Sequence, residues 1–438
     1  MKNHFRSVMF FSVLASFSAE AYMVASLPGA APFSRTTHVL VAGRGKEMGR
    51  QFAQSAVGQA YRLRELNREN NIVIITVREK GDASDVAFFQ NLGFRVERND
   101  ATLLSGAELV EEVKRQGKIA SLEFFSHAGF EVGPGLEGGD YRFNLGTPNI
   151  RDLAGRFTSD AYVIFWGCNS GYKVAPGVSR LWGVPAAGSL GATDFEQLHK
   201  TGIWYGHNDG QYPEGGYPWA GSNNVSYFSP VRCGDHPYNP CYRMKPDNVP
   251  YKGLWGKFLT GLGFYKWFCA NGADGACLRG VRKAIISSVG SIAGRNDMDF
   301  EGYKQLARDW VCPSASNGQA RRACVEGIDR ALATRNRAFT VFSGTPLSCD
   351  LRTGCEFKYQ CPTAGELCGM VSTSARASTA LVDDYELILK AGRPGFRWPW
   401  ERDEGPEPIA PINPAPAPAP TPTRAPGGGL PPWWSDNA

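Results

Sequence analysis

The first half of this 438-residue chain is almost without cysteine. Ten of its eleven cysteines lie between Cys233 and Cys368, and Cys168 is the one that precedes them. A disulfide framework is therefore excluded from the first half and available only in the second. Long apolar runs are also missing: no segment reaches the roughly 18 uninterrupted apolar residues that a membrane-spanning helix requires. Charge of one sign is not concentrated anywhere. The 47 Lys and Arg against 42 Asp and Glu leave a net charge of +5, scattered without a basic stripe, and this argues against nucleic acid as a partner. Gly43-Arg44-Gly45-Lys46 lacks the rest of a phosphate loop, because Glu47 follows the lysine, and it reads as a tight strand-to-helix turn. Histidine is scarce. His199, His207, Asp209 and His236 match neither a helical His-x3-His spacing nor a zinc-finger pattern, so no metal and no cofactor is expected. There is no fixed-period repeat.

The start of the chain has the form of a cleavable leader over residues 1–21. Lys2 and Arg6 give a positive beginning, Phe10 to Phe17 a short apolar stretch, and Ala19-Glu20-Ala21 a small-x-small cleavage site, so that the mature chain begins near Tyr22. No cysteine stands at the cleavage point to carry a lipid anchor. The expectation is a secreted or periplasmic protein in a compartment that permits disulfides. Asn224-Val225-Ser226 is a formal glycosylation acceptor.

Residues 22–36 read as a linker. From Thr37 to about residue 200 the text alternates strand and helix. Thr37–Ala42 and the apolar Asn71–Val77 read as strands, residues 46–69 as a helix with Phe52, Ala56, Ala60, Leu63 and Leu66 on one face, and residues 84–92 and 105–116 as two further helices. Then come the apolar Ile119–Phe125, a Gly-rich excursion over residues 129–147, a short helix after Pro148, a strand from Ala161, a helix through Leu181-Trp182 and a short strand at Val184–Gly188. This alternation predicts an α/β fold with a mostly parallel sheet and helices on both faces. Residues 201–250 read as a loop-rich extension. Residues 251–400 read as a disulfide-rich, mainly helical accessory domain, with pairing of neighbouring cysteines the simplest arrangement although spacing does not settle connectivity. Residues 401–438 form a Pro-rich tail of polyproline character that ends near Trp433-Trp434.

In a parallel α/β sheet, ligands bind beyond the carboxyl ends of the strands. Two apolar runs end there in chemically capable residues: Ile119–Phe125 leads into Ser126-His127-Ala128-Gly129, and the strand from Ala161 leads into Trp166-Gly167-Cys168-Asn169-Ser170-Gly171. A thiol attacks only as the thiolate, and an unperturbed pKa of about 8.5 leaves little of it at neutral pH. A neighbouring imidazole removes that obstacle by taking the proton and later returning it to the leaving group. The candidate nucleophile is Cys168 and the candidate base His127. Gly129, where the backbone approaches a substrate closely, and the N–H of Cys168 are the candidate oxyanion donors. Asn169 and Ser170 are expected to begin or cap the following helix, whose positive end favours the thiolate.

A histidine after one apolar strand, followed about forty residues later by Gly-Cys-x-Ser-Gly after another, resembles the caspase-hemoglobinase group of cysteine peptidases, which includes caspases, legumain, gingipains and bacterial secreted members. Leu92-Gly93-Phe94-Arg95-Val96 and Leu181-Trp182-Gly183-Val184-Pro185-Ala186 are similar to the corresponding segments of such proteins. The resemblance covers about residues 37–200 and implies a cysteine endopeptidase with a His127–Cys168 dyad, a protein or peptide substrate and a thioester acyl-enzyme. Relatives usually have His-Gly where this chain has His127-Ala128-Gly129. Clostripain-like relatives that cut after basic residues carry an Asp two positions before the nucleophile, where this chain has Trp166, so the resemblance implies no basic specificity. Two alternatives stay open: a catalytically decayed scaffold serving as an extracellular binding protein, and an acyl-transfer enzyme that passes the acyl group to an amine.

Overall fold

The computed structural model of the chain describes residues 22–29, 36–44, 51–78, 82–100, 102–129, 132–138, 141–190, 193–198, 204–206, 242–246, 265–288, 298–312, 318–334, 348–350, 354–356, 359–360, 369–370 and 374–397. The expected leader, the tail, Asn224 and the group His199, His207, Asp209 and His236 lie outside these residues, as does the latter half of the Gly43–Lys46 turn.

An eight-stranded mixed sheet organises the fold. In chain order its strands are β1 (Tyr22–Leu27), β2 (Thr36–Ala42), β3 (Asn71–Val77), β4 (Arg95–Asp100), β5 (Lys118–Phe125), β9 (Phe157–Phe165), β10 (Ala186–Ser189) and β14 (Tyr265–Phe268). Between them, β6 (Ala128–Gly129), β7 (Gly133–Gly138) and β8 (Tyr141–Arg142) form a small ribbon beyond β5. The order across the large sheet is β14-β10-β9-β5-β2-β3-β1-β4. The five central strands, β10 to β3, run parallel. The sheet is closed at each margin by antiparallel strands. Helices α1 (Gln51–Leu66), α2 (Asp82–Asn91), α3 (Gly106–Arg115) and α4 (Val174–Trp182) form the crossovers. Ser105 caps α3 by accepting the Glu108 N–H at 3.2 Å, the pairing that a Ser-x-x-Glu start encodes.

Side chains alternate between the two faces of each strand. On β5, Leu122 and Phe124 face one way. Phe124 stacks with Phe165 of β9 and with Phe143, and Phe143 meets Trp182 of α4. Ser121, Glu123 and Phe125 face the other way. Glu123 meets Gln59 of α1, and Ser287 of α5 (Gly275–Ser288) meets Tyr162 of β9. Both faces are therefore covered by helices, which explains why these strands read as largely apolar runs.

Three expectations need correction. The supposed linker over 22–36 contains β1, a buried strand inserted between β3 and β4. Tyr22–Leu27 is an apolar run of only six residues directly after the leader-like segment, too short to announce itself. The supposed accessory domain over 251–400 does not stand apart. β14 pairs with β10 at the sheet margin, α5 lies across β9, and Asp384 of α8 (Ser374–Gly392) accepts the Trp267 N–H at 2.8 Å. Helices α6 (Phe300–Val311) and α7 (Gly318–Ala333) contribute to the same hydrophobic core. Finally, part of the supposed loop-rich 201–250 belongs to a three-stranded sheet of β11 (Thr193–Leu198), β12 (Trp204–Gly206) and β13 (Tyr242–Pro246).

Among the described residues, one disulfide has both partners, Cys269–Cys277. It ties the end of β14 to the first turn of α5. Cys312 is also a half-cystine. The hairpin β15 (Ser348–Asp350) and β16 (Gly354–Glu356) sets Cys349 opposite Cys355. The hairpin β17 (Tyr359–Gln360) and β18 (Gly369–Met370) follows it. No described helix is long and apolar enough to cross a membrane.

Candidate active site

β5 and β9 are neighbours and parallel, with Phe124 opposite Phe165. Their ladder continues one residue further, where Trp166 N–H donates to the Phe124 carbonyl at 2.9 Å. Beyond it the two chains stay in contact. A β-carbon placed on Gly167 would lie 2.4 Å from the Ser126 oxygen, 2.8 Å from Ala128 Cβ and 3.1 Å from Ala128 N. His127 lies between those two residues, and Cys168 follows Gly167. Sequence reasoning placed both residues at this end of the sheet, and the backbone brings the segments that carry them against each other. Only glycine permits an approach this close. Gly167→Ala is expected to cost about 1–3 kcal/mol, a typical overpacking loss, because backbone rather than a mobile side chain must give way. Urea unfolding measures it, and an unchanged midpoint would show that the two segments separate without cost.

His127 is exposed, and its ring meets Phe52 of α1 edge-on at 5.0 Å between centroids. Its carbonyl accepts the Gly135 N–H at 2.7 Å, which holds the turn after β5 against β7. Ala128 and Gly129 pair with Pro134 and Gly133 as β6. Ala128 is not among the residues with positive φ. Its strand conformation is open to any L-residue, so the Ala that replaces the usual Gly imposes no backbone strain here.

Cys168 is half-buried and carries a thiol rather than a half-cystine. Its Sγ accepts the Thr193 N–H at 3.3 Å and lies 3.4 Å from Thr193 Oγ1. Thr193 opens β11 and is buried. The thiol also lies within donating distance of the Thr193 carbonyl at 3.7 Å, so the backbone N–H and C=O of one residue both address the sulfur. Sequence reasoning missed this residue: it lies 25 positions away, and no local pattern marks a threonine as a sulfur partner.

The turn after Cys168 is tightly built. Asn169 is buried and left-handed, with φ of 56°. Ser170 Oγ lies 2.9 and 2.8 Å from the Phe165 and Gly167 oxygens and accepts the Ser189 N–H at 3.1 Å. The expectation that Asn169 and Ser170 begin or cap the next helix is not met. α4 starts at Val174, and its N-cap position is Lys173, which makes no side-chain cap. A helix dipole fades beyond the first turn, so α4, which starts six residues on, adds little at Cys168.

Behind the turn sits a buried polar group. Glu123 accepts from Trp166 Nε1 at 2.9 Å, Gln59 Nε2 at 3.1 Å and Tyr162 Oη at 3.0 Å. Burial pushes its carboxyl above the usual range, and the three donors and the Arg62 charge partly oppose that rise. Trp166 is packed among Phe125, Tyr265 and Trp310. The side chain two positions before Cys168 therefore points into the core, on the face of Glu123.

No protein family matches the chain, and comparison with curated proteins gives no match. Among solved structures, the chain is similar to a secreted C11 cysteine protease from Bacteroides thetaiotaomicron, determined by X-ray in complex with an irreversible peptide inhibitor. The two are 17% identical over 36% of this chain and 49% of that one, with a TM-score of 0.25. The match thus spans about half the length of that protease.

Proposed function

We propose that this protein is an exported cysteine endopeptidase in which Cys168 is the nucleophile and His127 the acid and base. The observation that carries this reading is the contact of Gly167 with Ser126 and Ala128, which sets the two candidate residues on touching turns above adjacent parallel strands. Two further observations support it: the Cys168 thiol is not consumed in a disulfide, and neither side chain is sealed in the interior.

In this mechanism His127 takes the Cys168 proton, and the sulfur attacks the scissile carbonyl carbon. The resulting oxyanion is held by the N–H groups of Gly129 and Cys168. Collapse breaks the C–N bond, His127 delivers the proton to the departing amine, and a thioester remains on Cys168. Water, activated by the same imidazole, then releases the carboxylate and restores the thiol. With Trp166 directed into the core, substrate preference must come from other residues around the site.

The test is chemical. Iodoacetamide at neutral pH is expected to modify Cys168 in the native chain and to stop cleavage of an unfolded protein substrate in proportion to the label. Cleavage that survives full modification would refute the proposal. Products carrying an added amine in place of a free carboxylate would move the reading to acyl transfer.

A further inference from the structure

The opposite end of the sheet holds a cavity that the peptidase reading does not use. It has a volume of about 690 Å³ and is lined by Thr37, Asn71, Arg115, Gln116, Lys118 and Arg156, together with two glycines. Its position follows from strand register. Asn71 is opposite Thr37, Thr36 is opposite Lys118, and Ile119 is opposite Phe157, so the amino ends of β3, β2, β5 and β9 deliver their first residues in one row. The Ile119 N–H donates to the Arg156 carbonyl at 2.9 Å, which fixes the backbones beneath Lys118 and Arg156 to each other.

The lining contains three cations and no carboxylate. Arg115 is neutralised by Glu112. Lys118 and Arg156 are not: Lys118 Nζ donates to the Gly155 carbonyl at 2.7 Å, and Arg156 donates to the Lys114 carbonyl at 3.5 Å. Two positive charges thus converge on one concavity, each held by a backbone carbonyl and, among the described residues, neither compensated by an acid.

The carboxyl end of α3 also faces this region, and its partial negative charge would repel an anion. That end is already capped, however. The Gln116 carbonyl accepts from Thr37 Oγ1 at 3.0 Å, the Val113 carbonyl accepts the Gln116 N–H at 3.1 Å, and the Lys114 carbonyl receives Arg156. Asn71 Nδ2 and Gln116 Nε2 each spend one N–H inside the protein, leaving a second amide proton on each nitrogen.

We infer that this cavity is a binding site for a small multivalent oxyanion, phosphorylated or polycarboxylic, held by Lys118 and Arg156 with amide donors from Asn71 and Gln116. Paired charge-assisted hydrogen bonds from a guanidinium and an ammonium suit such a ligand.

The test does not depend on the peptidase reading. The full chain is titrated calorimetrically with pyrophosphate, citrate and inorganic phosphate at constant ionic strength, with chloride as the control. Saturable one-site binding is expected for pyrophosphate or citrate, and whichever binds more tightly identifies the class. The double variant Lys118→Gln/Arg156→Gln is expected to weaken it by about tenfold or more, the loss of two charge-assisted contacts. Arg330→Gln, an exposed cation elsewhere, should leave it unchanged. Should the double variant fold poorly, each single substitution is expected to weaken binding in the same direction by a smaller factor, the loss of one contact. Absence of saturable binding by all three anions, or equal affinity in the substituted chains, overturns the inference and leaves Arg156 as a cap for α3 and Lys118 as a tie to the Gly155 carbonyl.

Discussion

Cys168→Ala is expected to lower peptide-bond cleavage by at least about 10³-fold, because the substitution removes the atom that forms the acyl-enzyme. His127→Ala should cost a similar factor, and the double variant should be little worse than either single one, since residues acting as one unit are not additive. The fold should survive. Cys168 is only half-buried, and His127 is exposed at the end of β5, so neither substitution opens a large cavity. Turnover of an unfolded protein substrate and a thermal melt, measured on the same preparations, separate the two effects. Activity retained in Cys168→Ala, with an unchanged melt, would sink the peptidase reading and favour the binding-scaffold alternative.

Glu123→Ala is expected to destabilise the chain by about 1–3 kcal/mol or more, the cost of leaving buried neutral donors without their acceptor. Trp166 Nε1, Gln59 Nε2 and Tyr162 Oη would lose a common acceptor inside the core. Urea unfolding measures the loss, and a change below about 1 kcal/mol, roughly the worth of one ordinary hydrogen bond, would mean that water or repacking replaces the carboxylate. The pH dependence has a definite sign. Burial raises the Glu123 carboxyl above its value of 4.5 in an unfolded chain, so the folded state holds the proton more tightly. This group's stabilisation is complete below the unfolded value and declines as pH rises through the raised folded value. Glu123→Gln cannot titrate and should flatten that decline. Loss of cleavage in Glu123→Gln with substrate affinity unchanged would trace the effect through Trp166 to the Cys168 turn.

Much of the central sheet was readable because its strands are covered on both faces. Asn71–Val77 is a near-continuous apolar run, Ile119–Phe125 is apolar except for Ser121 and Glu123, and helix periodicity over residues 46–69 located α1, which is described from Gln51. β4 was not readable. Arg95–Asp100 is the charged margin of the sheet, half exposed, and it carries no apolar run to mark it. Charge of this kind suits an unpaired edge, which it protects from joining another sheet. β14 was hidden for a different reason. Tyr265–Phe268 is only four residues long and lies 76 positions after the end of β10, at Ser189, so its place in the sheet depends on a pairing that no local pattern announces. The same distance problem kept the expected accessory region separate from a core that in fact runs into α8.

The order of residues alone determined that His127 and Cys168 both end apolar strands, because parallel α/β chains expose the carboxyl ends of their strands on one side. It also determined that Cys168 stands outside the cysteine-rich half. Tertiary structure decided what surrounds that sulfur: the Thr193 backbone, the Gly167 contact that joins the two turns, and the Glu123 group behind Trp166. It also decided that two uncompensated cations share a cavity at the far end. These are contacts between residues distant in the chain, and their free energy depends on separations of a few tenths of an ångström that periodicity and spacing do not encode.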